Sequence, residues 1–131
     1  MDRASISPAL EDYLKVILEL QEAEEAIRVT DLAQKLGVAK SSVNQAVARL
    51  VELALLTHER YGPLELTGRG LAKAREIRER HDSLRQFFSD VLEVEPRIAE
   101  RDACSIEHYI SPATMEKLVD YLNGLAKSDE S

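Results

Sequence analysis

The sequence predicts a mainly α-helical fold in two parts: an N-terminal winged helix-turn-helix over residues 1–72 and an α-helical domain over 73–131. Three observations predict it. Apolar residues recur at helical spacing along most of the chain, beginning with Tyr13, Val16, Ile17 and Leu20 at i, i+3, i+4, i+7. Ala33 and Gly37 stand four positions apart between two amphipathic segments, the spacing two helices need to cross through a tight turn. Two short runs around Tyr61-Gly62 then read as a β-hairpin, the wing.

The elements follow in order. Ser7 caps a helix over residues 8–25, and Pro8 suits its first turn. Ile27-Arg28-Val29 is too short for a helix and reads as a single β segment. Thr30 caps a helix over Asp31–Leu36, which Gly37 ends. A third helix runs from Lys40 to Ala54 behind the capping residues Lys40-Ser41-Ser42. Leu32, Leu36, Val38, Val43 and Ala46 supply the inward faces of this pair. Leu55–Arg60 and Pro63–Thr67 form the strands of the wing. Thr67 caps a long helix over Gly68–Leu92, Pro96 opens another to Ile110, and Ser111-Pro112 starts a last one to Asn123-Gly124. The tail KSDES is expected to be disordered.

Composition narrows the function classes. The chain has 131 residues, of which 44% are apolar and 31% charged, which suits a globular core. No apolar run approaches the roughly 18 residues of a membrane span, and the N-terminus lacks the apolar core of a signal peptide. One cysteine excludes an internal disulfide framework and suits a reducing cytoplasm. The net charge of −7 is uneven. Residues 26–80 hold ten Lys/Arg and six Asp/Glu, whereas residues 81–131 hold five and eleven. A mildly basic middle is thus joined to an acidic end.

The exposed positions of the third helix are expected to be Lys40, Ser41, Ser42, Asn44, Gln45 and Arg49, a set free of acids. Lys and Arg pair with phosphates, Asn and Gln read adenine edges in the major groove, and Ser bonds either. The wing offers Arg60 and Tyr61 to the backbone or minor groove. These residues point to double-stranded DNA.

A second constellation lies after Pro96. Cys104, Glu107 and His108 stand at i, i+3, i+4 and project from one helix face. Thiolate, carboxylate and imidazole together make a site for a divalent transition metal. Read alone, the same three residues also fit a small buried thiol beside two surface groups. His81 and Asp12 lie off their local apolar stripes and are candidate further ligands.

The segments LEDYLKVILEL, the helix-turn-helix, LELTGRG, RHDSLRQFF and ACSIEHYIS together cover about residues 8–112. In them the chain resembles the diphtheria-toxin-repressor family of metal-dependent regulators, especially its short manganese-transport-regulator (MntR-like) branch. The resemblance implies a winged-helix DNA-binding domain and a helical metal-binding and dimerisation domain, without the SH3-like domain of longer members. It implies a primary metal site on Asp12, Cys104, Glu107 and His108, with His81 in an ancillary site. Lys15 stands where manganese-type members carry a carboxylate, and Cys104 where they carry Glu. Glu100, one turn before Cys104, partly replaces the missing carboxylate. Cys104 matches the iron-type branch and Asp12 the manganese type, so the expected site is a hybrid.

The resulting expectation is a cytoplasmic transcriptional repressor of metal homeostasis, a homodimer that binds operator DNA with Fe(II) or Mn(II) as corepressor. Metal would join Asp12 to the second domain and so restrict the spacing of the dimer's two recognition helices. Binding needs deprotonated Cys104 and neutral His108, so it should weaken at low pH. The stripe Met115, Leu118, Val119, Leu122 is expected at the dimer interface, with the domain core as the other placement. The alternative function is a winged-helix regulator that senses a thiol oxidant or a small organic ligand through Cys104. No catalytic residues are assigned, because nothing supplies a general acid or base apart from the metal ligands.

Overall fold

The structure, a computed structural model, describes residues 6–23, 26–59 and 62–130. The chain divides into two compact units, Met1–Glu76 and Ile77–Ser131.

The first unit starts with helix α1, Pro8–Glu22, whose N-cap Ser7 accepts a hydrogen bond from the backbone N–H of Leu10 at 3.2 Å. Its buried face is Tyr13, Leu14, Ile17 and Leu18, while Val16 and Leu20 are half-buried. The stripe therefore lies rotated from the expected one, because α1 packs against α2, α3 and the wing at once and needs a broader apolar face. Helix α2, Val29–Leu36, begins earlier than Thr30 predicts. Arg28 is the N-cap, and the Asp31 carboxylate accepts from its backbone N–H at 2.9 Å, so Asp31 does the work assigned to Thr30. Gly37 ends α2 in the left-handed region at φ 66°, and the N–H of Val38 reaches back to the Ala33 carbonyl at 3.0 Å. Val38 is exposed, not buried, since this bond turns it away from the helix pair.

Helix α3, Lys40–Glu52, is shorter than expected and has Ala39, with no side-chain hydrogen bond, at its N-cap. It closes in the manner usually reserved for glycine. Ala54 stands at φ 61°, its N–H bonds the Val51 carbonyl, and the Leu55 N–H bonds the Leu50 carbonyl, both at 3.0 Å. A left-handed alanine stores strain, so Ala54→Gly is expected to stabilise the chain by about 1 kcal/mol. Urea unfolding measures this, and a lowered midpoint would disprove it.

Strands β1, Leu56–His58, and β2, Leu64–Leu66, pair antiparallel with Leu56 opposite Leu66 and His58 opposite Leu64. Both are shorter than the expected strands. Ile27 forms an antiparallel bridge to Leu64, so the expected β segment over Ile27-Arg28-Val29 is present at Ile27 alone, since Arg28 caps α2 and Val29 begins it. Leu56 and Leu64 point into the core; Thr57 and Glu65 face outward. Arg60 and Tyr61 lie outside the described residues.

Helix α4, Gly68–Gln86, starts on Thr67, whose hydroxyl accepts from the Gly70 N–H at 2.9 Å and donates to the Ala54 carbonyl at 2.7 Å. The predicted continuation to Leu92 instead widens into a π-helical turn over Phe87–Val91, and Glu93 then takes a left-handed φ of 58°. Helix α5, Pro96–Ile106, stops before Ile110 as the chain enters a turn. Helix α6, Pro112–Glu130, is capped by Ser111, whose Oγ accepts from the Thr114 N–H at 3.2 Å. It runs on through Gly124 to Glu130, so the tail is helical as far as it is described where disorder was expected: no proline stops it, and one glycine costs a helix only about 1 kcal/mol.

In the second unit Leu84, Ala103 and Met115 form a buried cluster, with Phe88, Ile110, Leu118 and Val119 packed on it. Of the α6 stripe, expected at a dimer interface or in the core, Met115 is thus buried in its own unit, while Leu118 and Val119 remain half-buried. Among the described residues, no helix is long and apolar enough to cross a membrane.

Candidate functional site

The first unit presents α3 with two unlike faces. Val43, Ala46, Val47 and Leu50 are buried. Lys40, Ser41, Ser42, Asn44, Gln45 and Arg49 are all exposed, as the spacing predicts. The exposed set carries two cations, four short polar groups and no acid. It is therefore a hydrogen-bonding surface without the negative charge that would repel phosphate. The short hydroxyls and amides keep this face of the helix narrow, which suits insertion into a groove.

The second unit gathers titratable side chains from two helices. His81, near the end of α4, is buried. Its Nδ1 lies 2.7 Å from Glu107 Oε1, and its Nε2 lies 2.9 Å from Glu100 Oε2. Glu107 is fully buried, and its other oxygen lies 3.9 Å from His108 Nε2. Cys104 is exposed; its Sγ donates to Glu100 Oε2 at 3.5 Å and lies 3.8 Å from His81 Nδ1. Arg85 Nη1 stands 3.9 Å from Glu100 Oε1.

The placement follows from helical geometry. Glu100, Cys104, Glu107 and His108 fall on neighbouring positions of one face, as residues three or four apart do. Ala99 and Ala103, both fully buried, let that helix pack closely enough for His81 to reach the carboxylates. An imidazole with a carboxylate at each nitrogen can donate to both only as the imidazolium. A positive charge at the centre of two carboxylates and a thiol is what a divalent cation also supplies, so the donor set fits a metal. Burial opposes ionisation of Glu100. The hydrogen bond and charge of His81, the Cys104 thiol and the Arg85 cation outweigh it and hold the carboxyl below its ordinary value. Tyr13, in the first unit, is pushed up by burial.

Of the residues singled out in the sequence, His81, Cys104, Glu107 and His108 thus belong to one unit, and Asp12 sits on α1 of the other. The one group the spacing left in the background is Glu100. Its signal was present, one turn before Cys104, but only the approach of His81 from α4 distinguishes it from an ordinary surface glutamate.

Comparison with known proteins accounts for both units. Residues 5–64 match the N-terminal DNA-binding domain of the iron-dependent repressors, and residues 67–130 match their metal-binding and dimerisation domain. The chain belongs to the iron-dependent repressor family. Members of this family, of which DtxR-type and MntR-type proteins are branches, are metal-dependent transcriptional regulators, and so is this chain. It is 34% identical over 114 residues to the HTH-type transcriptional regulator MntR of Listeria monocytogenes, covering 87% of this chain and 80% of that one. Among solved structures it resembles the manganese regulator SloR, with a TM-score of 0.78 and 29% identity over 90% of this chain. A manganese-dependent transcriptional repressor bound to manganese gives a TM-score of 0.79, also at 29% identity. The chain spans about half the length of these two, 55% and 52% respectively.

Proposed function

We propose that this regulator is a repressor whose homodimer binds a double-stranded operator in the cytoplasm when Fe(II) or Mn(II) is bound. The observation that carries this is the pairing, in one chain, of a polar set on α3 (Lys40, Ser41, Ser42, Asn44, Gln45 and Arg49) that holds no acid with a cluster of imidazole, carboxylate and thiol groups in the second unit. The proposed ligands are Asp12, His81, Cys104, Glu107 and His108. The proposed DNA contacts are Lys40, Ser41, Ser42, Asn44, Gln45, Arg49, Arg60 and Tyr61. Among the described residues of the second unit, the exposed apolar side chains open to a dimer contact are Leu92, Ile98, Ile106, Tyr109, Tyr121 and Leu125, beside the half-buried Leu118 and Val119 of the α6 stripe.

Metal acts by linkage. It shifts the protein toward its DNA-competent state by no more than the difference in its affinity for the two states. A DNA-shift assay with and without chelator tests the function. Protein purified anaerobically, analysed for metal and titrated with each ion, tests the corepressor. Operator binding that ignores both chelator and added metal would refute the reading.

On α3 the roles divide. Lys40 and Arg49 supply charge contacts, which are insensitive to sequence and weakened by salt, whereas Asn44 and Gln45 supply base readout. Lys40→Ala should weaken operator and random DNA alike and reduce the salt slope by about one. Gln45→Ala should cost about 1–3 kcal/mol on the operator and little on random DNA. Identical behaviour of the two variants on both DNAs would remove the distinction.

A further inference from the structure

Strand β2 pairs with β1 along one edge. Backbone N–H groups alternate in direction along an antiparallel strand, so those of Leu64 and Leu66 point together to the other edge. The Leu64 N–H donates there to the Ile27 carbonyl at 2.8 Å, and the Leu66 N–H donates to Gln21 Oε1 at 3.2 Å. Ile27 offers backbone, as a neighbouring strand would. Gln21 offers a side-chain amide from the last turn of α1, 45 positions earlier in the chain. We infer that Gln21 is a positioning residue for DNA binding: its amide oxygen stands in for a third strand and ties the wing to α1, so that the wing's DNA contacts, Arg60 and Tyr61, are held in place through it. This rests on the reading above that the wing contacts DNA.

The wing needs such a support. Its strands have three residues each, and a lone hairpin of that length is marginal in water. Leu56 and Leu64 anchor its inward face, while Thr57 and Glu65 face outward. An open cavity of about 390 Å³ runs along the β2 edge, bordered by Gln21, Ala26, Ile27 and residues 63–66. Side-chain packing therefore does not replace the bond once it is lost. Gln21 is half-buried, which partly shields the bond from competing water. Arg60 and Tyr61 lie between β1 and β2 in the chain, so their position follows that of the hairpin. Without the bond, the wing occupies its DNA-competent position a smaller fraction of the time, and operator affinity falls by that fraction.

Gln21→Met keeps the reach and helix propensity of the side chain and removes its strong acceptor, whereas Gln21→Glu keeps the acceptor. In amide hydrogen exchange of the full chain, the Leu66 N–H should exchange about tenfold faster in Gln21→Met and within about twofold of the parent's rate in Gln21→Glu. Operator affinity should fall about three- to tenfold in Gln21→Met. Combined with Arg60→Ala, the loss should be smaller than the product of the two single losses, because the contact that Gln21 positions is already gone. Combined with Lys40→Ala on α3, the losses should multiply to within about twofold. A glutamine that only stabilises the fold would multiply with both. Unchanged Leu66 exchange in Gln21→Met, operator affinity within about twofold of the parent, or full multiplication with Arg60→Ala each overturns the inference and leaves the regulator reading intact. A parent chain that binds no DNA, with or without metal, overturns the regulator reading itself.

Discussion

Replacing Glu107 with glutamine is expected to lower metal affinity by about 100-fold and to abolish metal-dependent operator binding. Glu107 is fully buried, with one oxygen 2.7 Å from His81 Nδ1 and the other 3.9 Å from His108 Nε2. It therefore acts twice, as a proposed ligand and as the anion that orients a neighbouring imidazole. Loss of an orienting group alone typically costs 10- to 100-fold in metal affinity, about 1.4–2.7 kcal/mol, and loss of a ligand adds to that. Glutamine keeps the volume and one acceptor, so folding should survive. Alanine removes both, breaks the 2.7 Å bond to His81 Nδ1 and leaves a cavity at a fully buried position, which should destabilise the second unit by about 2–5 kcal/mol. Chelator competition measures the affinity and a DNA-shift titration the response. A glutamine variant that binds metal within about threefold of the parent would reduce Glu107 to a packing residue.

Gly70→Ala is expected to destabilise the first unit by about 3 kcal/mol or more, at the top of the range for overpacking. A Cβ built on Gly70 would meet the Leu55 carbonyl oxygen at 1.9 Å and its carbon at 2.8 Å. The obstacle is backbone, so no side chain can move aside. The start of α4 would have to lift away, breaking the bond from the Thr67 N–H to that same carbonyl at 3.1 Å and straining the Thr67–Ala54 bond. Stability totals for domains of this size are about 5–15 kcal/mol, so the loss is large. Gly68→Ala, two residues earlier, meets nothing within 4 Å and should be neutral or stabilising. Equal urea midpoints for the two variants would show that α4 does not approach Leu55 this closely.

What could be read from the sequence alone was decided by interactions spanning three or four residues. Ser7, Thr67 and Ser111 are caps because a hydroxyl reaches the N–H three residues on. Gly37 ends α2 because a left-handed turn suits glycine. The polar set on α3 and the spacing of Cys104, Glu107 and His108 follow from helical periodicity; the first pointed to DNA, while the second left a metal open until the resemblance of the whole chain was added.

Tertiary structure decided what depends on partners distant in the chain. Leu14 and Leu18, rather than Leu20, complete the buried face of α1 because α2, α3 and the wing all press on it. Met115 of the α6 stripe goes to the core because Leu84 and Ala103 pack against it. Gly70 looks like an ordinary early-helix glycine until the Leu55 carbonyl, fifteen positions back in the chain, is found against it. Cys104 is the sharpest case. Its spacing to Glu107 and His108 groups them on one helix, but its sulfur also contacts His81 and Glu100. Periodicity fixes which residues share a face; which side chains they meet there depends on what another helix brings to that face.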